Sequence, residues 1–172
     1  MPQVISHVTE TAVPPDSLLG RLAAARGAFA DAYTLSLPRA VSHADFVEAF
    51  YTTRLFKLER RLLALLGRPS SDAAARALAR GEGQRFAAWT VEARAGDELL
   101  LHEDSGATRS WFKTEAGAGG STRLWFGSAV VPRRPPGPGG EPRLGLAFKA
   151  LLGLHRRYSR ALLSAAARRL TA

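Results

Sequence analysis

RFAAWTVEARAGDELLLHEDSGATRSWFKTEAGAGGSTRLWFGSAVV, residues 85–131, decides the fold. Four strand-like segments lie in it: Arg85–Arg94, Glu98–Glu103, Arg109–Glu115 and Thr122–Val131. Turn residues separate them at Ala95-Gly96-Asp97, Asp104-Ser105-Gly106 and Ala116-Gly117-Ala118-Gly119-Gly120. Parallel neighbours need a crossover of a dozen residues or more, so connections this short predict an antiparallel meander. A symmetric closure of the last turn sets Trp111 opposite Trp125 and Lys113 opposite Arg123, with Arg109 two positions along. Phe112, Leu124 and Phe126 then share the other, more apolar face, which suits a core.

Downstream, residues 133–143 hold four prolines and three glycines and predict an irregular loop. The chain closes with residues 144–170, where Leu144, Phe148, Leu151, Leu152, His155, Tyr158 or Ser159, Leu162, Ala166 and Leu170 recur at helical spacing. Upstream, Phe29–Leu37 alternates as a strand that Pro38 ends. Ser42 caps a long amphipathic helix over Phe46–Leu66, stopped by Gly67 and Pro69, and a second helix spans Asp72–Arg80. The first 28 residues form a partly helical N-terminal segment, Ser17–Arg26 being its helix and Gly27 its stop.

An antiparallel sheet with one apolar face needs a cover, and the last helix supplies it. The predicted fold is α+β: a curved antiparallel sheet wrapped around a long C-terminal helix, with two helices inserted after the first strand. Residues 29–172 form one domain.

Three stretches stand out in this order of elements: Phe29-Ala30-Asp31-Ala32-Tyr33, the helix Phe46–Leu66 and Leu154-His155-Arg156-Arg157-Tyr158. Through them the chain resembles the helix-grip superfamily of START-type lipid carriers, pathogenesis-related ligand binders and polyketide cyclases, and most of all a bacterial family within it. Helix-grip domains have six strands in the later meander, against the four legible here. The resemblance implies an apolar pocket between the sheet and the C-terminal helix, holding a small apolar or amphipathic ligand.

With 46% hydrophobic and 23% charged residues among 172, the composition is that of a globular domain. No run is long and apolar enough to span a bilayer, and no basic segment leads into an apolar one at the N-terminus, so a cytoplasmic protein is expected. The absence of cysteine excludes disulfides, thiolate metal sites and cysteine nucleophiles. Four widely spaced histidines do not make a metal site, and nothing points to a cofactor. The net charge is +9, and residues 133–172 hold nine basic residues against one acid.

Within the implied pocket, His155 is the one ionisable group on the last helix's apolar stripe. Tyr158, Trp89, Phe148 and Leu151 join it as ligand-binding candidates. His155 also carries the enzyme alternative, as acid or base of a cyclase or dehydratase; against both stands an imidazole bonded to Tyr158 or to a backbone carbonyl, or one sitting at the edge of the stripe. A third reading is a nucleic-acid or interaction module. Its anionic-partner face would be Trp111, Trp125, Arg109, Lys113 and Arg123, together with the C-terminal arginines. Against it stands an ordinary cross-strand indole pair covered by arginine stems.

Overall fold

The computed structural model describes residues 7–132 and 146–172, and the side chains of these except 146–152. The irregular loop expected at 133–143 lies outside them. Elements run β1 (Thr9–Thr11), α1 (Leu18–Arg26), β2 (Phe29–Leu37), α2 (His43–Tyr51), α3 (Arg54–Leu65), α4 (Asp72–Arg80), β3 (Arg85–Phe86), β4 (Trp89–Ala95), β5 (Glu98–Glu103), β6 (Thr108–Ala116), β7 (Thr122–Val130) and α5 (Leu146–Thr171). The strands form one antiparallel sheet in the order β1-β2-β7-β6-β5-β4-β3. The meander, the strand Phe29–Leu37 and the closing helix stand as the sequence predicts, and the α+β class holds.

Three details differ. The helix expected over 46–66 is two helices, because Thr53 takes an extended conformation (ψ 151°) and its Oγ1 accepts from Phe56 N, capping α3. The strand expected over 85–94 is split: Ala87, at φ +51°, turns the chain so that Phe86 pairs with Trp89. The β6–β7 register also moves. Its turn is Gly117–Ser121, with Gly117 N donating to Ser121 O at 2.8 Å and Gly119 and Gly120 at φ +65° and +75°. Trp111 therefore pairs with Gly127, Lys113 with Trp125 and Glu115 with Arg123. The slip is two residues, so every side chain keeps its face.

Each face of the sheet is covered. On one, α2, α4 and α5 pack over Tyr33, Leu35, Leu37, Phe112, Leu124 and Phe126, joined by Phe46, Phe50 and Tyr51. Leu162, Leu163, Ala166 and Ala167 bring the C-terminal half of α5 into that core. On the other, α1 lays Leu19 over Ala32, Leu100, Trp111 and Trp125. Among the described residues no helix is long and apolar enough to cross a membrane.

Candidate functional site

The sequence of three neighbouring strands sets where the first core stops. On its face β7 reads Leu124, Phe126, Ser128, while β6 reads Phe112, Ser110, Thr108 and β2 reads Leu35, Tyr33, Asp31. Register brings the small polar members together, since Asp31 pairs with Ser128 and Ser128 with Ser110. Large apolar side chains thus give way along one row, and the helices cannot close on what remains. The space left is a cavity of about 600 Å³ bounded by that row, by α3 through Leu55, Phe56, Leu58, Glu59 and Leu62, and by α5 through His155, Tyr158, Ser159 and Leu162. Trp89, Phe50 and Phe126 complete an apolar wall.

Two polar chains reach the cavity. In the first, Asp31, only 6% exposed, accepts from Tyr33 OH at 2.9 Å and from Ser128 Oγ at 2.7 Å. Ser128 Oγ also lies 2.6 Å from His155 Nε2. The hydroxyl has one proton, and the carboxylate takes it. The imidazole must therefore donate, so Nε2 carries a hydrogen. Burial, reinforced by the neighbouring Asp31 charge, raises the Tyr33 hydroxyl far above its usual range and keeps it a donor. In the second chain, Tyr158 OH donates to Glu59 Oε2. Burial raises the Glu59 carboxyl above the usual carboxylate range, the Tyr158 bond working the other way. Burial and then Glu59 push Tyr158 up strongly.

The structure brings His155, Tyr158 and Trp89 to one cavity, though not all in the expected setting. His155 is exposed at the rim, the edge-of-stripe position weighed as the alternative, and the inward place one turn on belongs to Ser159, 1% exposed. The partners of His155 Nε2 are Ser128 Oγ and, at 3.4 Å, Ser159 Oγ, rather than Tyr158 or a backbone carbonyl. Phe148 and Leu151 lie on α5, outside the described side chains. Ser128, Ser110 and Glu59 are absent from the sequence reading, and Asp31 enters it only as a member of the stretch 29–33, with no role at a site. Asp31 and Ser128 were findable only by pairing Phe29–Leu37 against Thr122–Val131, which lie far apart in sequence, and Ser110 only with the register of β6 on β7 in hand. Glu59 sits among leucines on α3 and looks like one more surface charge of an amphipathic helix.

The face considered for an anionic partner is arranged otherwise. Trp111 and Trp125 do meet, as diagonal neighbours with ring centroids 6.0 Å apart at 64°. Trp111, however, has no exposed surface. Its Nε1 donates to Glu98 Oε2 at 2.7 Å, which also accepts from Leu18 N at the start of α1. Trp125 Nε1 donates to Glu115 at 2.9 Å. Arg109 is paired with Glu92, Lys113 lies within 3.8 Å of Asp97, Glu98 and Glu115, and Arg123 is 3.9 Å from Glu115. Each cation of that constellation already has a carboxylate.

Comparison with protein-family models, with curated proteins and with solved structures gives no significant match.

Proposed function

We propose that the protein binds a small apolar or amphipathic ligand in the cavity between the sheet, α3 and α5, in a cytoplasmic setting. One observation carries this reading: the row Asp31, Ser128, Ser110 replaces core residues at one end of the sheet and leaves about 600 Å³ behind a largely apolar wall. That size lies within the range of about 300–1,000 Å³ common to small-molecule sites, and so does the mix of many apolar groups with a few fixed polar ones. Incubation with a mixture of lipids and aromatic polyketides followed by native mass spectrometry tests it. A retained mass is expected on the native chain and not on Ser110→Phe, whose ring would occupy the cavity. No retained mass on the native chain would remove the proposal.

A second reading, a cyclase- or dehydratase-like enzyme, draws support from the Asp31–Ser128–His155 chain. It fixes a proton on Nε2 at the cavity rim, and the Glu59 carboxyl, bonded to Tyr158, is a second group lining the cavity that could take part in proton transfer. The test is chemical: ligands recovered from the native protein should be altered and those from His155→Gln unaltered. Unaltered ligands from both would reject it.

A further inference from the structure

The cavity's charges, rather than its size, say which end group its ligand carries. Two carboxyl groups line it, Asp31 on β2 and Glu59 on α3. Asp31 already accepts one hydrogen bond on each oxygen. Glu59 is different. Tyr158 serves its Oε2, while Oε1 has no hydrogen-bond partner among the described residues. Among the described lining residues the one guanidinium is Arg109, tied to Glu92 and to the carbonyls of Gly106 and Thr108.

A carboxylate ligand would therefore set its charge beside two carboxyl groups, in a partly desolvated space with no uncommitted lysine or arginine among the described lining residues, which is costly. Burial disfavours the charged form of Glu59, and an ammonium partner is what would favour it. A neutral ligand would leave Glu59 Oε1 as it stands. A cation would supply both a donor and an opposite charge, and such charge-assisted bonds are the strong ones. The wall shared with Glu59 is aromatic: Tyr51 packs 4.8 Å from Phe56, and Phe56 packs 5.7 Å from Trp89, measured between ring centroids. Aromatic faces favour a nearby ammonium over an anion. The net charge of +9 opposes this only weakly, because physiological salt screens exposed charge beyond about 8 Å.

Resting on the ligand-binding reading above, we propose that the ligand is a cationic amphiphile, an amine whose ammonium group pairs with Glu59 and whose apolar body fills the cavity. Titration calorimetry with decylamine, 1-decanol and decanoate, all below their aggregation concentrations, tests it. The native protein should bind decylamine about tenfold or more tighter than decanoate. The isosteric Glu59→Gln should bring decylamine down to the affinity of decanol while leaving decanol unchanged. Decanoate binding as tightly as decylamine would overturn the inference and leave the ligand-binding reading in place. A decylamine preference untouched by Glu59→Gln would likewise overturn it. No binding of any of the three would overturn the inference along with the binder reading for this chain length. Should Glu59→Gln fail to fold, the native ranking of decylamine against decanoate decides alone.

Discussion

Ser128 is the pivot of the candidate site, because one hydroxyl serves a buried carboxylate and an imidazole from another element. Ser128→Ala leaves Asp31 Oδ1 without its donor inside the protein, and should destabilise the fold by about 1–3 kcal/mol in urea denaturation. The His155 ring resonances should shift in the same variant, as the nearer of its two Nε2 partners is gone; unchanged resonances would contradict the chain. His43 is a separate residue-scale case. Both its ring nitrogens are buried without partners, and burial lowers it from 6.5 to about 4. The unfolded chain takes up that proton first, so stability should be full above about pH 6.5 and decline as pH falls towards 4. The slope is at most about 1.4 kcal/mol per pH unit. Glu59, raised by burial, acts in the opposite sense, its stabilising proton being lost as pH rises. Comparing native protein with His43→Gln across pH 4–7 isolates the first: the variant should lack that part of the decline. Neither residue is marked in the sequence. Their roles come from long-range neighbours, as Ser128 and Asp31 meet across a separation of 97 positions.

At the scale of elements, local signals were legible wherever the local rule was the one that won. Gly27, the stop the sequence reading placed, and Gly81 close α1 and α4 in the left-handed conformation, while Ser17, read there as the first helical residue, and Ser71 cap their starts, each accepting from the backbone amide three residues on. The meander's turns sit where glycine and aspartate announce them. Failures fall where two rules compete. Helical periodicity runs through Thr52-Thr53, but two threonine hydroxyls bonding the backbone end one helix and start the next. Strand β1 has only three residues, too few for a pattern to show. Gly127, within β7, lies where the sheet meets Leu19 of α1 with no room for a side chain. A Cβ there would lie 2.7 Å from Leu19 Cδ2, 2.8 Å from Trp111 Cε3 and 2.9 Å from the Asp31 carbonyl oxygen. Gly127→Ala should therefore cost about 1–3 kcal/mol, as overpacked cores do. A cost indistinguishable from zero in denaturant titration would mean that α1 does not pack as tightly as described.

For the whole molecule, the two faces of one sheet do different work, and this separates a ligand effect from a general one. The face under α1 is closed by Leu19 and the two indoles, with Glu98 tying Trp111 to the first helical amide. The opposite face is closed at one end by aromatic packing and left hollow at the other by the Asp31–Ser128–Ser110 row. Alternation within each strand announced two faces; that one is hollow depends on which residues of three strands stand side by side, and pairing is not written in any one strand. Charge misled for a related reason: Lys113 and Arg123 look free along the chain, whereas the fold sets Glu115 near both. A ligand in the hollow contacts α3 and α5 and never α1. At a free concentration of about 100 times its dissociation constant it should add about 2.7 kcal/mol and raise the melting temperature by roughly 5–10 °C. Locally exchanging amides in 54–65 and 153–163 should slow in hydrogen-exchange measurements, since opening those helices would now require releasing the ligand. Those in 18–26 should keep their local rates, because the sheet lies between them and the cavity. Equal slowing of local exchange in all three segments would place the ligand somewhere other than between the sheet, α3 and α5.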